Sequence, residues 1–305
     1  MNNSMNKVAV ITGASSGIGR ASAVSLASKG FQVFAGVRKL TDIRPLRDQA
    51  GSNLTPVLMD VADAASVADA AKDVTAQVQG RGIDSLVNVA GIGISGPLEY
   101  ASPQDLRKVF EVNVFGQIAV TQAFLPMIRK RRGRIVNISS VGAHIAIPFG
   151  GVLGASKSAF GSLSDSLRLE LRPFGIRVCV IEPASIRTPA VDKTLGDVEG
   201  LIQRLPPEGA KRYGDMLRNF TRRAYARETN GSSPEVVARA VLHALTARRP
   251  KIRYVVGKGS RPLTILPRLL PERLMDSLET QLFGLHVSAE GRESFPSNRA
   301  DRRNP

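Results

Sequence analysis

The sequence predicts a doubly wound α/β fold on a mostly parallel sheet of about seven strands. Three observations predict it. The run Val8 to Arg20 passes from β-branched residues through Gly13, Gly17 and Gly19 into a helical pattern without a gap. Further short apolar runs recur down the chain with helical patterns between them, and strands that alternate with helices imply parallel pairing. The 305 residues are 43% apolar, which suffices for a substantial core, and show no repeat or low-complexity stretch.

The first strand leads directly into the glycine turn. Glycine admits backbone angles closed to other residues and lets a ligand approach the main chain. A helix that starts near Gly17 also offers unpaired N–H groups and a positive dipole end, so the stretch can bind a phosphate. Its spacing is Gly-x-x-x-Gly-x-Gly, not the commoner Gly-x-Gly-x-x-Gly. Gly30 stops the first helix, and Gln32 to Val37 reads as the second strand. Strands are then expected at Val57 to Met59, Leu86 to Asn88, Ile135 to Ile138, Val178 to Ile181 and Tyr254 to Val256. The helices between them are expected at about Ala64 to Gln79, Pro103 to Arg131, Val152 to Arg172 and Pro234 to Ala247. Ligands of such sheets lie beyond the carboxyl ends of the strands.

The end of the second strand discriminates between nicotinamide cofactors, because an acidic residue there would bind ribose hydroxyls and repel a phosphate. Here Val37 is followed by Arg38 and Lys39, and Ser15 stands in the phosphate loop. Those residues favour a ribose 2′-phosphate and therefore NADP(H).

Cys179 lies inside the apolar run Val178 to Ile181 and reads as a small buried hydrophobe in a reducing compartment. No run reaches the length of a membrane span, and Met1 to Lys7 lacks the apolar segment of a signal peptide, so a cytoplasmic protein is expected. The formal charge is +16, but the basic clusters have few aromatics between them for bases to stack on. A solvated basic surface with no specific nucleic-acid partner is expected. No metal site is expected.

Taken together, Thr12 to Gly19, Asp60-Val61, Asn88-Val89-Ala90-Gly91, Asn113, Ser140, Lys157 and Pro183 to Thr188 resemble the short-chain dehydrogenase/reductase family. The match runs from about Lys7 to Arg187. It implies a Rossmann-type single domain over residues 1–260 with a helical substrate lid at about 190–231. It further implies that Gly13, Ser15, Gly17, Ile18 and Gly19 hold the cofactor phosphates, with Arg38, Asp60 and Val61 at the adenosine end. Asn88, Ala90 and Gly91 would line the riboses, and Pro183, Ile186 and Thr188 would clasp the nicotinamide. Val89 and Ala184 stand where the family usually has asparagine and glycine. Helices of related proteins pack against a neighbour, and Leu163, Leu167, Leu169 and Leu171 supply more apolar surface than one sheet face needs, so a homodimer or homotetramer is expected.

The family reduces carbonyls with serine, tyrosine, lysine and asparagine. Ser140, Lys157 and Asn113 match three of them, but the tyrosine position, four residues before the lysine, is Leu153. That spacing stacks the two side chains on one helix face, where the lysine's charge would lower a phenol's pKa. Leucine moves no proton, and loss of a general acid costs about a hundred- to ten-thousand-fold in rate. Of the remaining titratable groups, His144 follows Ser140 in the substrate loop and is a speculative substitute, while Tyr213 and Tyr225 fall in the expected lid. The resulting reading is an NADP(H)-dependent oxidoreductase of small apolar alcohols or carbonyls with impaired or altered chemistry. An isomerase, cyclase or lyase on the same scaffold, and a non-catalytic NADP-binding protein, are the alternatives.

Residues 261–285 mix leucines with arginines and are interrupted by Pro262, Pro267 and Pro271, with an amphipathic helix expected from Glu272 onward. Such a helix packs on its own domain or a second subunit more often than on a membrane; peripheral membrane contact stays open. Residues 286–305 are polar and expected to be disordered.

Overall fold

Strands β1 (Val8–Ile11), β2 (Gln32–Val37), β3 (Leu54–Leu58), β4 (Ser85–Asn88), β5 (Arg134–Ile138), β6 (Arg177–Pro183) and β7 (Arg253–Val256) form one sheet. All pairs are parallel, and the order is β3-β2-β1-β4-β5-β6-β7. The computed structural model describes residues 7–43 and 51–285, so the expectation for 286–305 lies outside the described residues. The strand order reverses after β1, whose residues pair with β2 on one side and β4 on the other. A crevice opens at such a reversal beyond the strand ends.

Both faces are covered, as near-continuous apolar strands require. Ala9 and Ile11 of β1 face one layer, formed by α1 (Gly17–Ser28) and α9 (Pro234–Thr246) through Leu26, Val237 and Val241. Val8 and Val10 face the other, formed by α2 (Ala64–Gln77), α4 (Gly116–Arg131) and α5 (Gly151–Leu171) through Val74, Phe124 and Leu171. The period-2 alternation of a strand thus divides one tetrapeptide between two cores.

Three local outcomes differ from the sequence reading. The helix expected over Pro103 to Arg131 is α3 (Pro103–Phe110), a π-helical turn over Glu111–Phe115, and α4. The extra residue in that turn buries Asn113 completely. Leu171 is a core residue and Leu167 is partly buried against the same core, so the surplus apolar surface of α5 reduces to Leu163 and Leu169. Beyond β6 the stretch expected to be helical over about 190–231 does fold as helices, α6 (Pro189–Leu195), α7 (Val198–Gln203) and α8 (Pro207–Thr229). Finally, the proline-rich stretch after β7 is helical, as α10 (Ser260–Leu269), and α11 (Glu272–Phe283) follows. Pro262 sits in the first turn of α10, where no backbone donor is needed; Pro267 forgoes one bond near its end.

Candidate active site

The phosphate loop lies between β1 and α1 at the crevice. Gly13 has φ +63°, and a Cβ there would lie 2.9 Å from Ala90 Cα. A Cβ on Gly19 would lie 2.1 Å from the Gly13 carbonyl oxygen, so the loop closes on itself only with glycine at that position. Ser16 caps α1 without a side-chain hydrogen bond, and the first turn contains no acidic residue. The helix therefore presents unsatisfied N–H groups and its positive end to the crevice, a donor set that fits the diphosphate of a dinucleotide. Gly17 faces Thr188, whose Cβ would be 3.1 Å from an added Cβ, so the loop after β6 closes on the phosphate loop.

Thr12 holds this arrangement. Its Oγ1 accepts from the backbone N–H groups of Val89 at 2.9 Å and Ala90 at 3.0 Å, and it locks the loop after β4 onto the end of β1. Gln117 donates from Nε2 to the Ala90 carbonyl at 2.6 Å. The sequence reading assigned neither role; a signal for Gln117 was its position four residues after Asn113. Asn88, expected beside the riboses, is buried and gives its amide to Thr121 and Asn137, both at 2.9 Å. Asn137 continues to Ser164, so this chain ties β4 and β5 to α5.

Just after β2, Arg38 and Lys39 are exposed. Asp60 closes the turn after β3, donating its N–H to Ser66 and accepting at Oδ1 from the Ala62 N–H. Val61 is buried, with its carbonyl where a Cβ on Gly116 would fall. Ile186 is buried in the first core layer, and its neighbour Ser185 has φ +36°.

The residues matched to the catalytic set come from three elements. Ser140 follows β5 and accepts at Oγ from Gly142 N–H at 3.0 Å. Lys157, on α5, donates from Nζ to the Ile138 carbonyl at 2.9 Å, and burial lowers its pKa to about 8. Asn113 clamps Ile92 through both backbone groups, accepting from its N–H at 2.8 Å and donating to its carbonyl at 2.9 Å. It also donates to Ser156 Oγ at 2.9 Å. Gly91 is where these groups meet: a Cβ there would be 3.2 Å from Asn113 Oδ1 and 3.4 Å from Lys157 Nζ. Leu153, one turn before Lys157, faces Gly93 and lies 3.2 Å from where its Cβ would be. Thr194 of α6 approaches the same point, at 3.3 Å.

The candidate substitutes for the phenol are engaged elsewhere. His144 Nε2 lies 3.0 Å from Glu182 Oε1, and Glu182 also pairs with Arg253, which bridges to Asp165. Tyr213 donates to Glu99 at 2.6 Å and Tyr225 to Asp192 at 2.7 Å. The Tyr254 hydroxyl lies 2.9 Å from His243 Nδ1. Tyr100 stacks edge-on against Tyr213. Among the described residues no cluster of His, Cys, Asp and Glu is arranged to hold a metal ion. Cys179 is buried, and burial raises its thiol pKa.

A cavity of about 520 Å³ is lined in part by Gly93, the residue that Leu153 faces. Gly93 to Pro97, Tyr100, Phe149 and Val152 wall one side, and residues of α6 and α7 wall the other. Phe149 adopts φ +58°, its carbonyl accepts from Gly96 N–H at 2.8 Å, and its ring packs edge-on to Tyr213 and Phe220. An aromatic residue held in the left-handed region at a cavity wall is a strained placement that the surrounding contacts must enforce.

Comparison with known proteins agrees with this geometry. The family model for short chain dehydrogenase matches residues 7–198. Retinol dehydrogenase 5 of Mus musculus is 38% identical over 278 residues, covering 88% of this chain and 86% of that protein. Short-chain dehydrogenase/reductase family 9C member 7 of Homo sapiens is 36% identical, covering 90% and 89%. Among solved structures, a short chain dehydrogenase/reductase from Burkholderia phymatum in complex with NAD superposes with TM-score 0.73 at 28% identity, covering 91% and 97%. One from Burkholderia cenocepacia in complex with NADP gives 0.66 at 26% identity, covering 92% and 99%. Nicotinamide cofactors are the family's common ligands, and no described helix is long and apolar enough to cross a membrane. With the family model matching residues 7–198 and relatives 36% and 38% identical covering 90% and 88% of its length, the chain belongs to the short-chain dehydrogenase/reductase family of oxidoreductases.

Proposed function

We propose that the chain binds NADP(H) and a small apolar alcohol or carbonyl, and that its hydride-transfer chemistry is slowed by a missing proton donor. Leu153 carries the reading. The cofactor would supply or accept a hydride; the protein must hold the substrate oxygen and move its proton. Ser140 can hold the oxygen, and Lys157 places an ammonium between Ile138 and Gly91. Asn113 fixes the loop and the helix on either side of that ammonium. Leu153 offers no ionisable group one turn before Lys157, so the proton step loses its agent.

NADP(H) preference rests on Arg38, with Lys39 beside it and no acid at Val37. An apolar substrate is supported by relatives named for retinol and by Phe149, Val152 and Leu201 in a cavity that Asp105, Lys193 and Arg204 also line. Exposed Phe115 in the π-helical turn and Leu163 and Leu169 on α5 support self-association.

The test is NADPH oxidation against a panel of apolar ketones and quinones by the parent, Leu153→Tyr, and Leu153→Tyr/Ser140→Ala. Leu153→Tyr should raise the rate by about two orders of magnitude, and the gain should vanish without Ser140. No gain with NADPH still bound overturns the reading.

A further inference from the structure

Because every strand runs the same way, all amino ends lie on one edge of the sheet, opposite the edge that carries the site. Six neighbouring strands are entered through a basic residue. Lys29 precedes β2, Lys7 precedes β1, Arg81 precedes β4, Arg132 precedes β5, Arg177 begins β6 and Arg249 precedes β7. The end of α4 adds Arg129 to Arg131, and Arg248 and Lys251 flank Arg249; all of these except Lys7 are exposed. Clusters scattered over more than 200 residues of sequence thus fall into one row. At roughly 4.8 Å per strand, five spacings make that row about 24 Å wide.

Compensating charge at this edge is sparse. Asp84 pairs with Arg131 at 3.2 Å, and its second oxygen accepts from Val8 N–H. Glu170, in the last turn of α5, is the neighbouring exposed carboxylate. Arg81, Arg132, Arg177 and Arg249 form no ion pair among the described residues. Arg134 and Arg177 sit opposite each other in the β5–β6 register, and burial together with the charge of Arg177 lowers the Arg134 pKa. The carboxyl ends of α1, α2, α4, α5 and α9 point to the same edge, but at about half a charge each they account for only about two and a half of roughly a dozen cations.

We propose that this edge is a docking surface for an anionic lipid bilayer, which it meets as a flat, cationic strip. Two apolar side chains, Phe174 and Ile252, each 51% exposed, stand among the arginines and can enter the headgroup layer. Phe174 stacks with the Arg129 guanidinium, 4.6 Å from its ring centroid, so one of its two faces is already taken and only the other could receive a base. Docked this way, the protein keeps the phosphate loop and the cavity on the side away from the membrane.

The test is co-sedimentation of the full chain with phosphatidylcholine vesicles, with or without phosphatidylserine, at 0.1 M salt. Two variants remove equal charge: Arg248→Gln/Arg249→Gln/Lys251→Gln at the edge, and Arg261→Gln/Arg268→Gln/Arg273→Gln on α10 and α11. Binding should require phosphatidylserine. The edge variant should bind roughly a hundredfold more weakly, while the α10–α11 variant stays within about threefold of the parent. Arg129→Gln/Arg132→Gln, on a different element, should lose at least about tenfold. NADPH titration of each variant reports an intact fold. Equal losses from both triple variants, equal binding to neutral vesicles, or tighter binding to a short DNA duplex at the same salt would each overturn the proposal.

Discussion

Lys157 donates from Nζ to the Ile138 carbonyl at 2.9 Å, which ties the helix that carries Leu153 to the strand that leads into Ser140. In this arrangement the ammonium is buried, and among the described residues its charge has no carboxylate partner to offset the loss of water.

That burial makes stability depend on pH. Lys157 titrates near 8 when folded, against an ordinary value of 10.5. Between those values the unfolded chain holds the extra proton, so raising the pH across the window stabilises the fold; below about 8 the penalty, at most roughly 3 kcal/mol, is present in full. Lys157→Met should therefore gain more melting temperature relative to the parent at pH 7 than at pH 10. Loss of the bond to Ile138 offsets both points alike. Thermal melts of the pair at the two pH values decide it, and a constant difference contradicts the account.

Arg38→Ala should weaken NADPH binding by at least about tenfold and leave NADH binding within about twofold, since a charge-assisted contact contributes roughly 1.5 to 3 kcal/mol. Fluorescence titration with both cofactors measures the two affinities. Equal losses would mean that Arg38 acts through the general field of the basic surface.

Gly19→Ala places a methyl group 2.1 Å from the Gly13 carbonyl oxygen, which belongs to rigid backbone. The loop must open, so affinity for either cofactor should fall by more than about tenfold while the sheet remains folded. Calorimetric titration alongside far-UV circular dichroism separates the two effects.

Arg253→Leu removes the cation that bridges Glu182 and Asp165, and leaves Glu182, 1% exposed, with His144 alone. Stranding a buried carboxylate should cost about 3 to 5 kcal/mol in urea unfolding at pH 7.5. Adding Glu182→Gln should recover part of that loss; failure to do so would locate the cost in packing.

The alternation of strands and helices, the glycine turn after β1 and the leucine one turn before Lys157 were all legible in the order of residues. Each is a local property: hydrophobic period, glycine spacing, and a one-turn offset from Lys157 along a single helix. Boundaries held less well where long-range packing overrides local preference, as in the π-helical turn that buries Asn113 and the helix that tolerates Pro262 and Pro267. Tertiary structure alone decided the partners of side chains. The amide of Asn88 forms part of a strut between β4, β5 and α5, and Thr12 emerged as the clamp on the loop after β4. His144 Nε2 lies beside Glu182, 38 residues further along the chain. The basic clusters illustrate the same division: composition supplied their number, but only parallel pairing, which puts every strand's amino end on one edge, collected them into a row.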